Sequence, residues 1–245
     1  MPVLSITAST LMRGLSPALG VFKRMNVHSA LAFAGMAGPL VLAATDLSAA
    51  FISPGYNLVE DSISSLALTS LGWIQTIGFL SIGLLIEIFT AGLLFNIRRT
   101  RGFHFSVGLM VFFGFALLLI GAFRTDPIGV EHTIEGRIHG MTASAAFWIF
   151  PVAMLAIAPS IKKDPAWRNI FLYTIVTAIL SVVFVIMIGV LPDETRWFGL
   201  AERILVANMI IWVEVAAIKL LLLSLKRERP ARVAEAVLEP DAPLY

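Results

Sequence analysis

Apolar residues in this chain fall into six long runs, and the segments between them alternate between basic and acidic. The runs cover Val27–Ala44, Trp73–Ile97, Phe103–Phe123, Ile138–Pro159, Ile170–Leu191 and Ile204–Leu225. Each is close to the roughly 20 residues that a helix needs to cross a bilayer core about 30 Å thick. In hydrocarbon every backbone polar group has to be satisfied internally, so runs of this length predict helices. The expected fold is an all-α, polytopic six-transmembrane-helix bundle. The expected organisation is a cytoplasmic segment over residues 1–24, a membrane domain over 25–225 and a disordered cytoplasmic tail over 226–245.

Composition agrees with lipid as the main solvent. Hydrophobic residues make up 58% of the chain and charged residues 14%, against about 45–50% and 25% in soluble domains. The basic side chains sit at the borders of the runs. Arg13, Lys23, Arg24, Arg98, Arg99, Arg101, Lys162, Lys163, Arg168, Lys226, Arg227, Arg229 and Arg232 fall on one side, and only Arg124, Arg137, Arg196 and Arg203 on the other. Basic flanks are retained in the cytoplasm, so both termini are expected there, in the plasma membrane. The acids run the opposite way, with Asp46, Glu60, Asp61, Asp126, Glu131, Glu135, Asp193, Glu194 and Glu202 on the outer side. Charge placed in this way serves topology and gives no reason to expect a nucleic-acid partner. The absence of cysteine excludes disulfides, thiolate nucleophiles and cysteine metal ligands. The late basic residues and the lack of a clear cleavage site favour an uncleaved first span over a signal peptide.

Smaller features refine the picture. Ala30, Ala34 and Gly38 form a small-residue stripe on the first span, which lets another helix approach closely. Pro39 and Pro151 interrupt helical hydrogen bonding, and Thr174, Thr177 and Ser181 give the fifth span a polar stripe. The longest outer loop turns at Ser53–Asn57 and then enters a short surface helix from Asp61, with Asp61 or Asn57 as its cap.

Tyr56-Asn57, Ser62-Ile63-Ser64-Ser65-Leu66, Phe123-Arg124-Thr125-Asp126-Pro127 and His139 together resemble an uncharacterised six-helix membrane family catalogued as domain of unknown function 998. The resemblance runs over about residues 25–225 and implies a fold and a membrane location, with no activity attached.

Three sets of residues are candidates for chemistry. His132, Glu135 and His139 would share one face of a helix and could ligate zinc or another divalent metal, with Asp126 or a first-loop acid completing the site; the bland reading is a solvated helix end. Tyr56, Asn57, Asp61, Arg124, Asp126, Arg137, Arg196 and Arg203 would line an outer polar vestibule. There arginine forks could hold a phosphate or carboxylate, with Trp73, Trp197 and Phe198 as walls; the bland reading is interface anchoring and local ion pairs. Glu87 and Glu214 are ionisable groups at membrane depth, either proton carriers or protonated helix glue, whereas Lys219 snorkels. His28 and His104 are a single pair and too few for a haem arrangement, so they read as interfacial side chains.

These residues support a leading expectation of binding or transport of a small polar molecule or lipid headgroup at the outer vestibule, with proton coupling through Glu87 or Glu214 as an option. A metal-dependent membrane hydrolase and a non-catalytic accessory protein are the alternatives. Whether the chain is an enzyme stays open at this level, as does its oligomeric state.

Overall fold

The computed structural model describes residues 26–190 and 196–238, with side chains as far as Arg227. Six α-helices account for most of them: α1 Val27–Ile52, α2 Gly72–Asn96, α3 Phe103–Ala122, α4 Ile134–Lys163, α5 Phe171–Val190 and α6 Phe198–Leu238. No strand occurs among the described residues. All six helices are long and apolar enough to cross a membrane. Each packs against the next in sequence and α6 returns to α1, so the helices form a closed ring.

The ring is filled by side chains. Phe113 from α3, Phe150 from α4 and Trp212 from α6 stack across its centre, with ring centroids 4.8 Å apart for the first pair and 5.9 Å, edge to face, for the second. Ile82, Ile86 and Phe89 of α2 close the same core. Large apolar side chains such as Leu84, Phe112, Val183 and Ile211 point outward and are exposed. An apolar exterior around a packed interior is the pattern expected of a bundle solvated by lipid.

Several polar groups inside the bundle make helix-to-helix bonds. The predicted stripe on α5 faces α6: Asn208 Nδ2 donates to Ser181 Oγ at 2.9 Å and to the Thr177 carbonyl at 3.0 Å, and Trp212 Nε1 donates to Thr174 Oγ1 at 3.0 Å. At the end of the bundle bearing the basic loops, Asn96 is a hub. Its side chain accepts from Arg227 Nη1 at 2.8 Å and lies 2.9 Å from His28 Nδ1, while its carbonyl accepts from Trp167 Nε1 at 3.0 Å. His104 is exposed, its ring edge-on to Phe103.

Three helices outrun the apolar segments that announced them. α1 continues past Ala44 to Ile52, α4 starts at Ile134 rather than Ile138, and α6 starts at Phe198 rather than Ile204. The added turns contain Asp46 and Glu202, polar residues that hydropathy ends a span on, yet both are buried against tertiary partners. At its other end α6 carries on to Leu238, beyond residue 226, at which the disordered tail was expected to begin. The expected N-terminal segment, and Asp193 and Glu194, lie outside the described residues.

Close packing outweighs these polar bonds in holding the ring shut. A Cβ on Gly35 of α1 would lie 2.4 Å from the Phe89 ring of α2 and 2.8 Å from Ala217 Cβ of α6, both wholly buried. Overpacking at such a site costs about 1–3 kcal/mol, whereas an interhelical hydrogen bond in a membrane bundle averages about 0.6 kcal/mol. Gly35→Val is therefore expected to lower the unfolding free energy in mild detergent more than Asn208→Ala does, as read by denaturant titration.

Candidate functional site

The long α1–α2 connection folds over the end of the ring opposite the basic loops, as a roof. Its turn is made at Pro54-Gly55, where Gly55 takes φ +78°. A 3₁₀ helix follows at Ile63–Leu68, capped by Ser62, whose side chain accepts from the Ser65 amide at 3.2 Å. Neither cap expected from sequence is used. Asp61 instead accepts the Asn57 amide at 2.7 Å, and the Asn57 side chain accepts from Val59 at 3.0 Å, so both carboxylate and carboxamide tighten the turn before the helix.

The first turn of α6 clasps this roof. Arg203 Nη1 donates to the carbonyls of Asp61 at 2.8 Å, Leu58 at 2.9 Å and Gly199 at 3.2 Å, while Nη2 reaches Asp46 Oδ1 of α1 at 3.3 Å and the Tyr56 hydroxyl. The guanidinium also lies over the Tyr56 ring, 5.5 Å from its centroid, a favourable cation–π position. Its neighbour Glu202 accepts the Ile63 amide at 2.7 Å, which holds the start of the 3₁₀ helix. Helix N-termini leave unpaired amides; here Gly199 and Leu200 donate theirs to the Glu60 and Val59 carbonyls at 3.3 and 3.0 Å. Gly199 is required for this approach, because a Cβ there would sit 2.1 Å from the Asp61 carbonyl oxygen. Tyr56 donates its hydroxyl proton to the Ser62 carbonyl at 2.7 Å. Burial pushes its pKa up to about 12, opposed by the Arg203 charge, so it remains a neutral donor at any physiological pH.

The α3–α4 connection is a second polar assembly. Asp126 accepts from the amide and hydroxyl of Thr133, both at 2.8 Å, and Thr133 caps α4 by accepting from the Gly136 amide at 3.0 Å. The Thr133 hydroxyl bond, with further help from the Thr133 amide and His132, holds the Asp126 carboxyl below the usual aspartate range.

This capping geometry separates the three residues expected to share a metal. Helix α4 begins at Ile134, so His132 precedes it in extended chain and is not on its wheel. His132 and Glu135 are exposed, with His132 Nδ1 3.5 Å from Asp126 Oδ2, whereas His139, one turn after Glu135 on α4, is buried. Among the described residues no group of three or more His, Cys, Asp or Glu could hold a metal ion. The arginines also divide. Arg203 is enclosed in the clasp, while Arg124, Arg137 and Arg196 are exposed. Trp73 and Trp197 are exposed as well.

His139 bonds at both ring nitrogens. Its Nδ1 lies 2.9 Å from the Phe123 carbonyl and must donate to it, so its Nε2 accepts, 2.9 Å from the Ser64 hydroxyl. Ser64 therefore donates to the imidazole. It also lines two adjoining spaces. Beneath the roof is an apolar cavity of about 40 Å³ (the space open to the centre of a water molecule), bounded by Leu42, Ile82, Leu117, Ala146, Phe147 and Met209, with Glu202 at its roof end. Beside it is a smaller chamber of about 10 Å³ by the same measure, where Ser64, Gln75, Thr76, Arg124 and His139 share the lining with apolar residues such as Phe79, Ile120 and Phe123. Gln75 is 1% exposed, and neither its amide nitrogen nor its oxygen has a hydrogen-bond partner. Glu87 and Glu214 line neither space. Glu87 lies against α3, where a Cβ on Gly114 would come within 2.7 Å of Oε1, and Glu214 Oε2 is buried without a partner.

Sequence reasoning put Arg203, Tyr56 and Asp61 in one group, and the structure brings them together. It missed Ser64, Gln75, Asp46 and Glu202 as parts of a site. Two signals were available: Gln75 is the chain's single glutamine, set in an otherwise apolar run, and Ser64 sits within the serine-rich motif that carries the family resemblance.

Two outcomes check the assembly. Removing the guanidinium strands Asp46 and the two roof carbonyls of Leu58 and Asp61, so Arg203→Ala is expected to cost about 3 kcal/mol in denaturant titration and to open the roof to proteolysis at Glu60; Tyr56→Phe is expected to cost about 1 kcal/mol. The Asp126 contribution is fully present above the unfolded value of 3.8 and is lost as pH falls through its lower folded value. In Asp126→Asn this part of the acid limb of a stability–pH profile should flatten.

No curated protein and no solved structure matches the chain. A family match covers residues 36–219, which takes in the roof, both cavities and all six helices. The chain belongs to the family described as Protein of unknown function (DUF998).

Proposed function

We propose that this protein binds an amphiphilic molecule, a lipid or lipid-like compound, at the roof end of its bundle. The observation that carries the reading is the apolar cavity under the clasped roof, which adjoins, through Ser64, a smaller chamber edged by Arg124, Gln75 and His139. The apolar part of the ligand would lie against Leu117, Phe147 and Met209, and the polar part at the rim marked by Arg124. About 40 Å³ is roughly three times what one water needs. The resting cavity thus accepts a short chain, and a longer one requires side chains such as Met209, unbranched and adaptable, to move aside. The ligand reading is narrower than transport, because neither membrane-depth glutamate lines the cavity.

The same proposal places the roof on the extracytoplasmic face of the plasma membrane, with both termini in the cytoplasm, on the strength of the basic residues at the opposite end.

The chain has no native cysteine, so single-cysteine variants report topology directly. Glu60→Cys in intact cells is expected to react with an impermeant maleimide and Arg99→Cys only after lysis; the reverse pattern contradicts the orientation. For the ligand, native mass spectrometry of protein extracted from membranes is expected to show bound lipid on the wild type. Ala146→Phe, which fills the cavity from α4, should reduce its occupancy at least tenfold. Equal occupancy in the two proteins contradicts the binding reading.

A further inference from the structure

We infer that Ser64 and His139 form a nucleophile–base pair that cleaves an acyl ester presented by the bound amphiphile. The inference rests on the binding reading above and adds a reaction to it.

Three observations meet at Ser64. The first is the orientation of the base. A serine hydroxyl becomes nucleophilic when a positioned base takes its proton, and the base in turn needs a third group to fix its tautomer. His139 meets both requirements: Nδ1–H donates to the Phe123 carbonyl at 2.9 Å, which leaves the Nε2 lone pair directed at the Ser64 hydroxyl, also at 2.9 Å. The imidazole is 4% exposed, so bulk water does not compete for that lone pair.

The second is Gln75. A buried amide with both polar atoms unpaired costs about 1–3 kcal/mol for each group left unsatisfied, and this one borders the same chamber as Ser64 and His139. Its NH₂ group is a donor held ready without a native acceptor, as an oxyanion-stabilising group must be. The third is the position of Ser64, which lines both the apolar cavity and the smaller chamber that leads to Arg124. A molecule with its chain in the cavity and its head at the Arg124 rim would bring the junction between them to the Ser64 hydroxyl. In acyl-ester amphiphiles that junction is the ester carbonyl.

The step balances without a metal or redox partner. Ser64 Oγ adds to the carbonyl carbon as its proton passes to His139 Nε2, and the carbonyl oxygen, now negative, accepts from Gln75. The tetrahedral centre collapses, the bond to the alcohol oxygen breaks, and His139 returns the proton to the leaving alcohol. This leaves an acyl ester on Ser64. Water entering from the Arg124 rim gives a proton to His139 Nε2 and adds to the acyl carbon; the bond to Ser64 Oγ breaks, His139 returns the proton to Oγ, and the acid is released with serine restored. The alternative role for the pair is a tether joining the 3₁₀ helix to α4, in which the hydroxyl has no reactivity.

The test uses the full chain in lipid nanodiscs, with a fluorophosphonate probe and p-nitrophenyl butyrate as a short acyl ester. The wild type is expected to become covalently labelled, with the adduct mapped by peptide mass spectrometry to Ser64. Ester hydrolysis should fall to background in Ser64→Ala, and by about 100-fold or more in Gln75→Ala. Wild-type protein that binds lipid but takes no label at Ser64 overturns the inference and leaves the binding reading intact. Lipid binding that survives Ala146→Phe unchanged overturns the binding reading itself. Because the adduct is mapped on the wild type, misfolding of a variant cannot decide the result.

Discussion

The roof end of this protein depends on one side chain, Arg203. A guanidinium with five donors in a fixed fork gathers three backbone carbonyls, the Asp46 carboxylate and the Tyr56 hydroxyl into one cluster. Those partners come from α1, the long connection and α6 itself, so the cluster joins the two helices that close the ring. The adjoining Glu202 bond to Ile63 and the amides of Gly199 and Leu200 extend the same seam. Arg203 Nη1 and Nη2 are both paired and Nε alone is buried without a partner; the paired nitrogens offset a desolvation penalty that is otherwise several kcal/mol. The clasp holds the 3₁₀ helix in place, and the 3₁₀ helix brings Ser64 to His139.

The bundle thus has two ends with different physics. At the basic end, Asn96, Ser29, Ser224 and Trp167 make short bonds between helices and leave the basic residues at the surface. At the roof end, acids and arginine are drawn inward, and the space beneath is left partly unfilled. Protein interiors are close-packed, so an unfilled apolar space beside an unsatisfied amide is a departure that local stability does not explain. Departures of this kind are expected where a site is held open for a ligand.

Much of the fold was legible because hydropathy reads it directly. Six apolar runs became six helices, and the Thr174, Thr177 and Ser181 stripe met Asn208 and Trp212 as its spacing implied. Helix ends were less legible at Asp46 and Glu202. A hydropathy window ends a span at the first acid, while the backbone continues wherever a tertiary partner satisfies that acid. The site was the least legible part. His132, Glu135 and His139 share a face only if the helix starts before His132, and the Thr133 cap, set by Asp126, starts it after. Ser64 and His139 lie 75 residues apart, so no local spacing could announce their pairing.

If the roof encloses a binding space for an amphiphile, an experimental density map of the protein in a lipid nanodisc should contain it. The expected feature is elongated density that starts beside Ser64 and runs between Leu117, Phe147 and Met209, with a polar end toward Arg124. A map in which those side chains close on one another and Gln75 pairs within the protein would contradict the binding reading.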